Sequence, residues 1–239
     1  MNRIYKVFVD FDGTITKIDV GEELFLQFGD PVKAREIIAL WMEDKISSNE
    51  TWIRLCETLT DFDLEKVNAF IDSVEIDDNF LEFVEYCKKH EIDITILSDG
   101  LDFYIDRILS NYKLQHLKRY SNKIEFSSDN TLTPVFPFSD EECKQCANCK
   151  RNHILNLSAD DDFTIYIGDG YSDKCPAQFC DFIFAKNSLL KYCELNRITY
   201  FPYRNFHEVK TKIDEIRMKK RLKKKMRAEL KRKEVYKQG

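Results

Sequence analysis

The chain has 239 residues, 43% hydrophobic and 33% charged, with a net charge of −5. This length accommodates one large or two small domains, and the apolar share suffices for a packed core, which excludes a disordered or collagen-like chain. No apolar run reaches the ~20 residues that cross a bilayer and the first residues carry no secretory pattern, so a cytoplasmic enzyme is expected, with most of its eight cysteines buried as thiols.

Ile4 to Val9 reads as a short buried strand that breaks into Asp10-Phe11-Asp12-Gly13-Thr14. In open α/β sheets the ligand crevice lies beyond the carboxyl ends of the strands, which puts Asp10 and Asp12 at that edge. Two carboxylates this close repel unless a cation sits between them, and Mg²⁺ is a hard ion held by one or two carboxylates plus substrate phosphate. Asp10 is then both metal ligand and nucleophile at a phosphate ester. Asp12 is the acid for the leaving alcohol, and afterwards the base for water. Gly13 permits a tight turn, and Thr14 can fix it through its hydroxyl. The competing reading is an acidic strand-to-helix turn with Asp as N-cap.

Residues near 17–78 form an insertion with four predicted helices, 21–28, 32–43, 49–60 and 64–73, from apolar spacing and acids in the first turns. The insertion reads as a cap over the active site, or as a helical subdomain that only stabilises the fold. Trp41, Met42 and Trp52 could line a pocket for a neutral, partly apolar phosphate, or simply pack. Asp19 or Glu22 could take an amine and Arg54 a carboxylate, as a phosphoserine site requires.

The core resumes near residue 79, with helix, strand and helix alternating to about 212. Ile92-Asp93-Ile94-Thr95-Ile96-Leu97 is a second buried strand, ending in Ser98-Asp99-Gly100, where a hydroxyl and turn amides could hold phosphate oxygens. Cys143, Cys146, Cys149 and His153 have donor types and spacing that could wrap one tetrahedral Zn²⁺; free thiols or a redox pair are the alternatives. In each case the segment fixes the loop of Lys150, a suitable point charge for a transferring phosphoryl group. Phe163 to Ile167 is another buried strand, emptying into Gly168-Asp169-Gly170-Tyr171-Ser172-Asp173. Asp169 is placed for metal, and Asp173 to orient a metal-bound water or Lys150.

From Arg217 to Gly239, twelve Lys or Arg stand against two Glu, so the preceding body carries −15. Met218, Leu222, Met226 and Leu230 recur every fourth residue, as a narrow stripe on a basic helix. Such a helix could bind nucleic acid or an anionic surface, contact the acidic body, or lie solvated.

The four pieces, Asp10 to Thr14, Ser98, Lys150 and Gly168 to Asp173, resemble the motifs of the haloacid dehalogenase superfamily of phosphatases over nearly the whole chain. Within it the sequence looks most like the phosphoserine phosphatase branch. It is closer still to the methionine-salvage type acting on 2-hydroxy-3-keto-5-methylthiopentenyl-1-phosphate, on the strength of Cys146-Ala147-Asn148-Cys149-Lys150, of Ile183 to Leu190, and of Tyr200 to Tyr203. The resemblance implies a three-layer, Rossmann-like α/β core with a parallel sheet (1–16 and 79–216), a small helical cap of the C1 type (17–78) and a basic tail (217–239). It implies Asp10 as nucleophile, Asp12 as acid and base, and Ser98 and Lys150 as phosphate-binding groups, with Thr14, Asp99, Gly100 and Asp173 lining the substrate site. Mg²⁺ would be held by Asp10, Asp169 and the backbone carbonyl of Asp12. The expected activity is hydrolysis of a small phosphorylated metabolite through an aspartyl-phosphate. Phosphoserine hydrolysis is the runner-up, because Ile53 rather than Arg54 falls at the family's arginine position. A nucleic-acid adaptor built on this scaffold is a third reading, opposed by the intact Asp10, Asp12, Lys150 and Asp169.

Overall fold

The structure is a computed structural model, and its described residues are 3–60, 62–126 and 132–237. The elements in chain order begin with β1 (Tyr5–Val9), α1 (Val20–Phe28), α2 (Pro31–Met42), α3 (Ser48–Cys56), α4 (Leu64–Ser73), α5 (Phe80–Lys89) and β2 (Asp93–Leu101). There follow α6 (Asp102–Asn111), β3 (Lys118–Phe126), β4 (Leu132–Val135), α7 (Lys150–Leu157), β5 (Phe163–Gly168) and β6 (Phe182–Ala185). The chain closes with α8 (Asn187–Leu195), β7 (Phe201–Pro202), α9 (Phe206–Arg217) and α10 (Met226–Tyr236). It divides into two compact units, one of Met1–Asp10, Ile76–Leu97 and Lys150–Gly239, the other of Phe11–Glu75 and Ser98–Cys149.

In the first unit the strands run parallel in the order β2-β1-β5-β6-β7. A parallel sheet is covered on both faces and its strands read as unbroken apolar runs, which is how Val7-Phe8-Val9, all of β5 and all of β6 come to be buried. The crossover from β1 to β2 and those from β5 to β7 travel in opposite directions. Right-handed connections therefore put α5 and α8 on opposite faces of the sheet, in three layers. Phe206 of α9 closes over α5, 4.8 Å from Phe80 and 5.1 Å from Phe83 between ring centroids. The reversal of direction falls between β1 and β5, and the crevice at their carboxyl ends is where such sheets hold ligands.

The second unit is built on α1 to α4. Asp19, Asp30, Ser47 and Asp63 cap these helices by accepting backbone N–H bonds, so the four predicted helices are found within one or two residues of their starts. The third stops at Cys56 rather than at residue 60, because Thr58 N and Leu59 N turn back to Leu55 O and Cys56 O and the Thr58 hydroxyl donates to Leu55 O. The end of β2 runs on through Ser98, Asp99 and Gly100 to Leu101, where the sequence suggested a turn. An antiparallel pair, β3 and β4, completes the unit and was not foreseen.

The tail departs from the expected single striped helix. After α9 ends at Arg217 the chain breaks, and α10 begins at Met226. Met226 and Leu230 are 73% and 55% exposed, whereas Arg232 is only 3% exposed. The tail docks on its own unit through cations. Lys224 Nζ lies 2.9 Å from Asp181 Oδ2, Lys225 N donates to Asp181 Oδ1, Arg227 reaches the carbonyls of Ala177 and Cys180, and Arg232 donates to Phe179 O and Ser158 Oγ. The last two tail residues lie outside the described residues. No helix among the described residues is long and apolar enough to cross a membrane.

Candidate active site

The chain passes between the two units at Asp10–Phe11, Glu75–Ile76, Leu97–Ser98 and Cys149–Lys150. Three of these four crossings fall on predicted site residues, so the motif side chains form two separate sets.

In the first unit, Asp10 N donates to Ile167 O at 2.9 Å and carries the β1–β5 ladder one residue past the strand. Its carboxylate therefore emerges at the carboxyl end of β1, beside the point where β5 empties into Gly168. Lys150, the first residue of α7 and 2% exposed, donates to Asp10 Oδ1 at 2.5 Å, to Asp173 Oδ1 at 2.8 Å and to Ser172 Oγ at 3.1 Å. Asp173 is saturated by donors. Its Oδ1 also accepts from the Tyr166 hydroxyl at 2.6 Å, and its Oδ2 from the backbone N–H groups of Asp169 and Gly170 at 2.9 Å each. A Cβ at Gly168 would stand 2.4 Å from Asp173 Oδ2, so only glycine lets this carboxylate tuck under the turn. Asp169 is steadied from α8: Asn187 Nδ2 donates to its Oδ2 at 3.0 Å, and Ser188 Oγ and Leu189 N to its carbonyl.

Carboxylate oxygens of Asp10, Asp169 and Asp173 lie within 4.8 Å of one another. With one ammonium among three carboxylates, the formal charge of the cluster is −2, which a divalent cation offsets. Burial lifts the Asp10 carboxyl well above the usual carboxylate range; Asp173 and Asp169 push the same way, against the pull of Lys150. Burial alone would lower the Lys150 ammonium, but Asp10 and Asp173 together hold it above its ordinary value, so it stays charged. Tyr166 is held far above the usual phenol value by burial and Asp173, and remains a hydrogen-bond donor.

In the second unit, the turn after β1 is set by Gly13 at φ 68° and by Thr16, whose hydroxyl accepts from Gly13 N and donates to Ile18 O. Thr14, expected to fix this turn, is buried in it with its N–H on Phe11 O. Asp12 Oδ2 accepts from Ser98 Oγ at 3.2 Å and from the Tyr104 hydroxyl at 2.9 Å, and its Oδ1 from Val20 N at 3.2 Å. Ser98 Oγ in turn accepts from Gly100 N at 2.9 Å. Asp99 ties loops together: its carboxylate takes the Ser48 hydroxyl and Asn148 N, and its carbonyl takes Asn122 Nδ2. Asn148, two residues before Lys150, also donates to the carbonyls of Ser98 and Tyr120. Arg54 is paired with Glu50 on its own helix, and Trp52 packs against Phe25 at 5.8 Å while Met42 is exposed.

The zinc expectation is not supported. Among the described residues the one group of three or more potential metal ligands is Asp10, Asp169 and Asp173; Cys143, Cys146, Cys149 and His153 do not converge. The reason lies in the loop itself. Asp140 accepts the N–H groups of Glu142 and Cys143, Lys144 takes a left-handed turn at φ 52°, and Cys149 N is drawn to Phe138 O, with Cys149 buried and Cys143 and Cys146 half-buried.

Sequence reasoning missed Tyr104, Tyr166, Thr16 and Asn187. An aromatic residue in a buried run reads as packing, and nothing in the spacing marks these two as donors to Asp12 and Asp173.

A family model described as "Putative Phosphatase" matches residues 5–228. Relatives include the 2-hydroxy-3-keto-5-methylthiopentenyl-1-phosphate phosphatase of Bacillus cereus (strain AH820), 32% identical over 214 residues that make up 88% of this chain and 96% of that protein. The enzyme of the same name from Bacillus thuringiensis (strain Al Hakam) is 31% identical over the same shares. Among solved structures, a substrate-bound phosphoserine phosphatase complex aligns with a TM-score of 0.70 at 18% identity, covering 89% of this chain and 99% of that one. A phospho-aspartyl intermediate analogue of phosphoserine phosphatase aligns at 0.68, also with 18% identity, over 88% and 99%. At that identity the structures speak for the shared fold alone. With the family model spanning nearly the whole chain and these relatives matched almost end to end, the protein belongs to the "Putative Phosphatase" family of the haloacid dehalogenase superfamily and is a phosphatase of that type.

Proposed function

We propose that the protein is a Mg²⁺-dependent phosphomonoesterase working through an aspartyl-phosphate, with 2-hydroxy-3-keto-5-methylthiopentenyl-1-phosphate as its substrate. The observation that carries the substrate is the end-to-end match to relatives bearing that name; the chemistry is supported by the buried cluster of Asp10, Asp169, Asp173 and Lys150. The carboxylates of Asp10 and Asp169 and the backbone carbonyl of Asp12 are assigned to Mg²⁺, which supplies positive charge to the phosphoryl oxygens when bound. Asp173 is assigned to hold Lys150, since its own oxygens are spent on donors.

Asp10 attacks phosphorus, the Asp10 Oδ–P bond forms and the P–O bond to the alcohol breaks, while a proton passes from the Asp12 carboxyl to the departing oxygen. Asp12, now ionised, takes a proton from water as that water's oxygen attacks phosphorus. Inorganic phosphate leaves, and the Asp10 carboxylate is restored. Ser98 and Lys150 bind phosphoryl oxygens, and Thr14, Asp99 and Gly100 shape the loops around them. The helices within 17–78 are assigned as the cap that sets substrate choice.

A neutral leaving group is favoured over phosphoserine because Arg54, the cation a serine carboxylate would need, is engaged by Glu50. The basic tail is assigned a structural role rather than nucleic-acid binding, because Lys224, Arg227 and Arg232 are spent on the protein itself, and the cytoplasmic placement goes with a metabolite substrate. The test is release of inorganic phosphate from 2-hydroxy-3-keto-5-methylthiopentenyl-1-phosphate and from phosphoserine, in Mg²⁺ and in excess chelator. Higher kcat/KM for the former, abolished by chelator and restored by Mg²⁺, supports the assignment. A preference for phosphoserine removes the substrate, and full activity in chelator removes the metal.

A further inference from the structure

We infer that Tyr104 is a positioning residue for the acid–base group of the reaction: its buried hydroxyl fixes the carboxyl of Asp12 in one orientation for proton transfer. The inference rests on the role proposed for Asp12 and deepens it.

Tyr104 lies on α6 and is fully buried, its ring packed 6.4 Å from Phe11 and 5.5 Å from Phe103 between centroids. The hydroxyl donates to Asp12 Oδ2 at 2.9 Å, closer than the 3.2 Å from Ser98 Oγ to the same oxygen. Burial and the neighbouring Asp12 hold the phenol far above its ordinary pKa, so it donates throughout the working range and never competes for the proton. The contact is shaped by the backbone opposite. A Cβ at Gly100 would lie 1.8 Å from the Tyr104 oxygen and 2.7 Å from Asp12 Oδ2, so glycine at this position is what lets the hydroxyl reach the carboxyl.

Ser98 is the second donor to Oδ2, but its own orientation depends on Gly100 N. Ser98 is also assigned to phosphate, and a hydroxyl that turns to a phosphoryl oxygen leaves Asp12. The Tyr104 hydroxyl still holds Oδ2 when Ser98 turns away. With Oδ2 held by the Tyr104 hydroxyl and Oδ1 by Val20 N, the plane of the carboxyl is set for giving a proton to the leaving group and later taking one from water. A carboxyl free to rotate would present either oxygen and lose part of the gain from fixed geometry.

The test compares Tyr104→Phe, which keeps the ring and removes the hydroxyl, with Asp12→Asn and the parent enzyme in saturating Mg²⁺. Two substrates of similar shape are used, phenyl phosphate and p-nitrophenyl phosphate, since the nitrophenolate departs without a proton and the phenolate gains from one. The ratio kcat/KM reports only the steps through departure of the phenol, while kcat also contains hydrolysis of the aspartyl-phosphate. Tyr104→Phe should lower kcat/KM for phenyl phosphate by about tenfold, the worth of one hydrogen bond to a charged group, and for p-nitrophenyl phosphate by less than about threefold. Its kcat should fall for both, because the water step needs the same carboxyl. Thermal unfolding of the variant separates these effects from misfolding. If Asp12→Asn shows the leaving-group pattern and Tyr104→Phe changes both substrates equally, or neither, Tyr104 is only a packing residue. If Asp12→Asn itself lacks the pattern, Asp12 is not the acid, and the inference falls with that assignment.

Discussion

Replacing Lys150 with Met tests the charge balance of the cluster. The ammonium is 2% exposed and bridges Asp10 at 2.5 Å and Asp173 at 2.8 Å, so its removal leaves these two buried carboxylates facing each other beside Asp169. Removing one partner of a buried pair costs about 3–5 kcal/mol, a large part of the ~5–15 kcal/mol that holds a domain together. The loss is read from urea unfolding in excess chelator, with the parent as reference. Mg²⁺ at about 100 times its Kd should return roughly 2.7 kcal/mol, since it binds the folded state alone. Turnover should still fall by about a hundredfold or more at temperatures where the variant is folded, because the phosphoryl group loses a preorganised charge. A destabilisation under about 1 kcal/mol in chelator would refute the balance. The metal-free parent carries a matching pH signature. Burial raises the pKa of folded Asp10, so its contribution is fully present below the ordinary carboxylate value and is lost as pH rises through the raised one.

Burial pushes Cys56, Cys87 and Cys180 up to about 12 and Cys193 up to about 11, so these four thiols should resist a disulfide reagent at pH 8 in the native protein. Because each folded value is raised, their contribution to stability is present below the ordinary thiol pKa of about 8.5 and fades as pH climbs toward 11 to 12. Rapid labelling of Cys87 or Cys180, located by peptide mapping, would contradict the packing. Deleting residues 218–239 strips Asp181 of Lys224 and of Lys225 N. The truncated protein should lose about 3 kcal/mol in urea unfolding yet keep its turnover per folded molecule, and an unchanged unfolding midpoint would show that the tail does not dock.

The motif strands were legible because a parallel sheet demands continuous apolar runs, and β1, β2 and β5 each end on the polar residues that carry the chemistry. The helices of 17–78 were legible through their apolar spacing and first-turn acids, and their Asp and Ser caps fix where they start. The β3–β4 pair was not, since Lys118-Arg119-Tyr120-Ser121-Asn122-Lys123 mixes charges with one aromatic and shows no clean alternation. The tail misled because a stripe of Met and Leu outweighs a single Arg in any periodic reading, whereas the buried contacts of α10 are made by Ala228 and Arg232. The cysteine spacing left zinc, free thiols and a redox pair open, because spacing constrains only which donors can meet, whereas backbone bonds to Asp140 and Phe138 set the course of this loop. Tyr104 carries its phenol to Asp12 across 92 residues and Tyr166 to Asp173 across seven, and neither contact shows in the apolar periodicity.

The central claim is that Asp10 becomes phosphorylated during turnover. Enzyme mixed with excess substrate in Mg²⁺, quenched in acid within the first turnovers and digested, should yield the peptide containing Asp10 with one added phosphoryl group by mass spectrometry. Asp10→Asn should show neither the adduct nor activity above about a hundredth of the parent's, a loss of at least ~2.7 kcal/mol in transition-state stabilisation. A phosphoryl group on any other residue, or an Asp10→Asn variant that turns over above that level, would contradict the account.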